Sequence, residues 1–170
     1  GAQASVVGSG GSVGATVGAK VVPSDGQVGR AKVLVIGDSV FTAFNHVASA
    51  RELLDSQQKT MFAAQGCQKL VDPGCFAWVK LSALDQLKKN AGRFSEVVVI
   101  GTGYNDRIGT PFRGAVLAIT QEAARQGVDV VWITYRQVRH VRGKATTMNK
   151  QLGKLDPKIE NLHIADWNSF

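Results

Sequence analysis

Three points of the chain carry residues suited to chemistry: Gly37-Asp38-Ser39, Gly66, and Gly103-Tyr104-Asn105-Asp106. Ser39 follows the unbroken apolar run Val33-Leu34-Val35-Ile36, which reads as a strand buried on both faces of a parallel sheet, and it precedes a helical pattern. A hydroxyl at such a strand-to-helix turn lies at the carboxyl edge of the sheet, where open α/β folds bind ligands and free backbone N–H groups attract negative charge. That position suits a nucleophile. The plainer alternative is that Ser39 only caps the helix, since Ser and Asp are favoured caps. Gly66 follows a short apolar run over residues 60–64, and it either makes a turn or lets a backbone N–H point into the crevice that Ser39 faces. Asn105 follows the clearest buried strand, residues 96–100, and an amide there can donate to the oxyanion formed when a neighbouring serine attacks a carbonyl.

The elements that must hold these residues alternate along the chain. After Ser39, the residues Phe41, Phe44, Val47, Ala48 and Leu54 recur at helical spacing and predict one helix. His46 lies on it, about 10 Å along the axis from Ser39, too far to serve as its base, so a surface or satisfied histidine is expected. Leu81, Leu84 and Leu87 predict a second helix closed by residues 90–92, and Phe112, Val116, Ile119 and Ala123 a third ending at Gly127. Residues 128–134 read as a fourth strand, 146–155 as a short helix and 162–165 as a fifth strand. Strands alternating with helices imply a parallel sheet with right-handed crossovers.

Residues 1–30 are rich in Gly, Ser, Ala and Val without an aromatic residue, which predicts a linker or loosely attached segment. Gly8, Gly10 and Gly14 do not make a dinucleotide fingerprint, because Pro23 follows too soon for a crossover helix, and Ala19 breaks the P-loop pattern. Gly101-Thr102-Gly103 fails in the same way, with Asp106 where the third glycine belongs. The remaining length, 170 residues in all, suffices for one domain, and no apolar run is long enough to span a membrane.

The net charge of +7 raises the question of nucleic acid, but the basic residues are scattered and no aromatic-rich basic motif accompanies them. The densest run, residues 136–144, contains Arg136, Arg139 and His140 and reads as a solvated loop or one facing an anionic polymer such as cell wall, hence a candidate substrate loop. Cys67 and Cys75 flank a Pro-Gly turn, and no CxxC pair or histidine spacing supports zinc. A close pair across a turn can meet as a disulfide, which implies an oxidising, extracytoplasmic compartment.

GDS, a glycine and G-x-N-D at three successive strand ends, in this order, resemble the blocks of the SGNH/GDSL hydrolase family. The likeness covers residues 32–170 and extends to extracytoplasmic bacterial members, among them SGNH domains attached to membrane acyltransferases that O-acetylate cell-surface sugars. It implies a flavodoxin-like three-layer α/β/α fold with a five-stranded parallel sheet. It implies Ser39 as nucleophile, an oxyanion hole built from the Ser39 and Gly66 N–H groups and the Asn105 side chain, and Asp38 and Asp106 in support. The implied chemistry is hydrolysis or transfer of an acyl group, acetyl above all, carried on a cell-envelope glycan or similar ester. No metal, cofactor or nucleic acid is called for, and a monomer is expected, tethered in some relatives to a membrane acyltransferase domain.

The family's last block, D-x-x-H, does not occur in these 170 residues. His163 and Asp166 appear in reverse order, and in relatives a stretch like residues 164–168 lies shortly before that block. The expectation is therefore a domain over residues 31–170 lacking its C-terminal catalytic block. A second reading is a non-catalytic SGNH-like module that binds cell-wall polymer or a protein partner, and a third is a flavodoxin-like nucleotide or phosphate binder, which lacks a phosphate loop.

Overall fold

The structure is a computed structural model that describes residues 30–169, so the expected N-terminal linker falls outside the described residues apart from Arg30. Five parallel strands, β1 (Ala31–Gly37), β2 (Thr60–Ala64), β3 (Phe94–Gly101), β4 (Asp129–Ile133) and β5 (Leu162–Ala165), form one sheet in the order β2-β1-β3-β4-β5. The helices are α1 (Ala48–Gln57), α2 (Ala83–Lys89), α3 (Thr110–Arg125) and α4 (Arg142–Leu155). This is the flavodoxin-like order, in which the winding reverses between β1 and β3 and opens a crevice outside their carboxyl ends. Among the described residues no helix is long and apolar enough to cross a membrane.

Local signals set the helix ends. Ser82 caps α2 in a capping box with Asp85, each bonding the other's backbone N–H, and Gly92 leaves the helix at a φ of 76°. Pro111 opens α3, and Gly127, at a φ of 70°, releases the chain into β4.

Alternation along the strands sends two sets of side chains to opposite faces. Leu34, Ile36, Val98, Ile100, Val130 and Trp132 are fully buried on one face, packed with Leu87 of α2, Phe112, Val116 and Ile119 of α3, and Met148 and Leu152 of α4. The other face is thinly covered. Among the described residues, α1 and the 3₁₀ turn before it are the helical segments on that side, and α1 buries none of its residues. A groove of about 480 Å³ runs along this face, with Val33, Val35, Phe62, Val99 and Ile133 in its lining.

The predicted first helix is in fact two pieces. A 3₁₀ turn spans Phe41–Asn45, Val47 leaves helical geometry at φ −114° and ψ 86°, and α1 begins at Ala48. The cause is packing at the sheet edge: Phe41 lies so close over Gly37 and Gly101 that a Cβ on either would come within 2.3 and 2.2 Å of it. Seating that ring fixes the chain just after Ser39. The last helix starts at Arg142, earlier than the expected residue 146, which shortens the basic loop.

Candidate active site

Sheet register brings the three sequence blocks side by side. Gly37 of β1 pairs with Ala64 of β2 on one side and with Gly101 of β3 on the other. Two residues beyond each of these partners stand Ser39, Gly66 and Gly103, with Asn105 next but one. Neighbouring strands lie about 4.8 Å apart, so the three loops leave the sheet as adjacent neighbours at the β1/β3 switch point. Ser39 is exposed, and Gly66 and Asn105 are half-buried. Ser39 is followed by the 3₁₀ turn rather than the α-helix expected from the sequence, and the first N–H groups of that turn, those of Val40, Phe41 and Thr42, donate to Asp38, so no long helix dipole faces this edge.

Gln68 ties the blocks together. Its carbonyl accepts the Thr102 hydroxyl at 2.9 Å and the Asn105 side-chain amide at 3.1 Å. Its own amide, with the nitrogen turned to the sheet, donates to the Gly37 carbonyl at 2.8 Å and the Ala63 carbonyl at 3.1 Å. One buried side chain and its carbonyl thus join the ends of β1, β2 and β3. The Asn105 amide carries two N–H bonds and spends one on Gln68, which fixes its direction and leaves the other for a ligand. Among the described residues, the backbone N–H groups of Ser39 and Gly66 donate to no protein carbonyl.

Asp106 adds a second tie, accepting the Leu70 N–H with both carboxylate oxygens at 3.1 Å. Burial pushes its carboxyl up to about 6, opposed by the Leu70 bond and by Lys144 and Lys69, while Asp72 adds to the rise. Asp38 is fully buried and accepts the Val40 N–H at 3.1 Å. Its carboxyl is also raised by burial, and the Val40, Gly103 and Tyr104 N–H groups with the Thr102 hydroxyl oppose the rise. The bond to Val40 pins the turn that follows β1, while the second carboxylate oxygen is buried without a hydrogen-bond partner among the described residues.

The turn at Gly103 depends on Tyr135. Gly103 has a φ of 140°, and a Cβ there would come within 2.0 Å of the Tyr135 hydroxyl. That hydroxyl donates to the Thr102 carbonyl at 2.7 Å and accepts from the Trp132 indole at 3.0 Å. Lys144 donates to the Tyr104 carbonyl at 2.6 Å. Sequence motifs give no role to these residues: Gln68 and Tyr135 belong to none, Thr102 is the middle of a failed glycine fingerprint and Lys144 the end of the basic run, and the fold brings all four to one edge.

The disulfide between Cys67 and Cys75 is formed, with Cα atoms 5.6 Å apart. Cys67 has a φ of 59°, a left-handed conformation uncommon outside glycine, directly after Gly66. The cross-link therefore holds a strained turn that sets the direction of the Gly66 peptide.

The histidines lie apart from this edge or open to solvent. His163 pairs with Val131 in register and faces Asp129 at 3.9 Å, which places it toward the amino end of the sheet. His46 is exposed just after the 3₁₀ turn. His140 is exposed on the loop between β4 and α4, with Arg136 and Arg139 beside it in the chain and also exposed. Among the described residues, no histidine is hydrogen-bonded to Ser39 and no group of three His, Cys, Asp or Glu residues could hold a metal.

The architecture is similar to that of solved hydrolases. A Bacteroides fragilis protein assigned as an acylhydrolase superposes with a TM-score of 0.63 at 15% identity, over 81% of this chain and 68% of that one. The psychrotrophic esterase EstA from Pseudoalteromonas sp. does so with a TM-score of 0.58 at 13% identity, over 80% and 76%. AlinE4, an SGNH-hydrolase family esterase, gives 0.56 at 15%, over 81% and 76%. No protein-family model and no curated protein matches the sequence. The chain thus has the three-layer α/β fold of SGNH hydrolases, a fold shared by esterases and acylhydrolases.

Proposed function

We propose that the chain is an SGNH-type acyl-transfer domain that cleaves a carboxylic ester through an acyl-enzyme on Ser39. The observation that carries this reading is the register of Gly37, Ala64 and Gly101, which sets Ser39, Gly66 and Asn105 at one edge with donor capacity unspent. Ser39 Oγ attacks the acyl carbonyl, and the Ser39 and Gly66 N–H groups with the free Asn105 N–H take up the charge on its oxygen. The alcohol leaves, and the acyl group passes to water or to a sugar hydroxyl. The substrate in this reading is an acylated cell-envelope glycan, and the disulfide supports work in an oxidising, extracytoplasmic compartment.

A base must take the Ser39 proton, and the family resemblance gives that task to a D-x-x-H segment that these 170 residues do not contain. The chain by itself therefore acylates slowly. A second reading is a non-catalytic module of this fold that binds cell-wall polymer or a protein partner. Turnover of an aryl acetate by a protein that includes a D-x-x-H segment separates the two. Acyl transfer predicts that Ser39→Ala abolishes it and that Asn105→Ala lowers kcat by roughly 10² to 10³ with little change in KM. His46→Ala and His163→Ala leave the rate unchanged. Equal rates for wild type and Ser39→Ala would leave the binding module.

A further inference from the structure

The segment that follows the disulfide loop carries an aromatic pair that acyl transfer to Ser39 does not use. The rings of Phe76 and Trp78 stack with centroids 4.7 Å apart and planes 10° from parallel. Trp78 is 75% exposed and Phe76 47%. With Phe76 against one face of the indole, that much exposure leaves the opposite face in water. Large apolar rings are ordinarily the first side chains a fold hides.

The pair is also held in place. Val79, only 3% exposed, donates its N–H to the Phe76 carbonyl and accepts the Gly74 N–H on its own. The Cys75 N–H donates to the Cys67 carbonyl beside the disulfide, and four residues after Trp78 the chain reaches Ser82, the cap of α2. A flat apolar face is thus fixed in solvent on the loop that begins at Gly66, with exposed Asp72 and Lys80 flanking it in the chain.

We propose that Trp78, backed by Phe76, is a stacking platform for a β-linked pyranose ring of a glycan. Such a ring carries its hydroxyls around the rim and presents axial C–H bonds on a face about the size of an indole. The positive edges of those C–H bonds meet the negative face of the aromatic system. The rim hydroxyls call for polar partners, and the exposed Asp72 and Lys80 stand six and two residues from Trp78 in the chain. A membrane-inserting patch calls for a broader apolar face than two rings bounded by charges. The proposal deepens the acyl-transfer reading and rests on it only for the role of the sugar as acyl carrier or acceptor.

The test uses the full chain and a β-1,4-linked N-acetylglucosamine tetrasaccharide as probe, followed by the three indole N–H resonances. Trp132 is buried and Trp167 stands elsewhere, so each indole reports separately. The Trp78 signal shifts saturably, Trp78→Ala weakens binding by about tenfold or more, the order an aromatic anchor is worth, and Trp78→Phe recovers most of it. A Trp78 signal unmoved by millimolar tetrasaccharide overturns the proposal, as does unchanged binding by Trp78→Ala. Anionic phospholipid vesicles that broaden the Trp78 signal where sugar does not would show a membrane contact and overturn it too. Binding is read with no ester present, so a failed titration leaves the Ser39 assignment standing, and a failed acylation leaves the platform standing.

Discussion

Asp106 grips the Leu70 N–H while it is largely withdrawn from water, and the two circumstances pull its pKa in opposite directions. Burial wins, and the carboxyl rises to about 6 from an ordinary value near 3.8. The folded state then holds a proton that the unfolded chain releases, so this group's contribution to stability weakens as the pH climbs from about 4 to about 6 and is level above that. Asp106→Asn keeps an acceptor for Leu70 and removes the titration. The melting temperature of wild type minus that of Asp106→Asn should fall across that interval, and parallel curves would show that Asp106 does not titrate there. Ser39, Gly66 and Asn105 were legible in the sequence because each follows an apolar strand that announces itself. Gln68 was not, since a lone glutamine in an irregular loop has no period, and its hydrogen bonds reach residues far along the chain.

The strands and helices α2, α3 and α4 were legible for the same reason: a buried strand needs an apolar run, and a helix needs apolar residues every three or four positions. The stretch after Ser39 has that helical spacing too, yet it breaks into a 3₁₀ turn and α1. Its apolar residues serve a contact that spacing does not encode, the Phe41 ring laid over two glycines on different strands. The disulfide acts at this scale. Closing so short a loop stabilises by about 2 to 3 kcal/mol, and it also restrains the left-handed Cys67. Replacing both cysteines with serine should cost about that much in chemical denaturation and speed amide exchange over residues 66–75. If exchange in that loop is unchanged, hydrogen bonds alone hold the turn and the cross-link does not shape it.

At the scale of the molecule the two sheet faces differ. Val98 and Val99 are consecutive in β3, yet Val98 is fully buried under the helices and Val99 lines the open groove. Val98→Lys buries an unpaired charge and should cost more than about 4 kcal/mol, enough to unfold most small domains, while Val99→Lys reaches water along the groove and should cost about 1 to 2 kcal/mol. Equal losses in thermal melts would mean that the groove face is as tightly covered as the other. The central claim is that sheet register makes Ser39 the nucleophile of an anion-stabilising edge. It is tested most directly by treating the chain with a fluorophosphonate and locating the adduct by peptide mass spectrometry. The account predicts slow, single-site phosphonylation of Ser39, slower still in Asn105→Ala and lost in Ser39→Ala. An unlabelled Ser39, or equal labelling of other exposed serines, would contradict it.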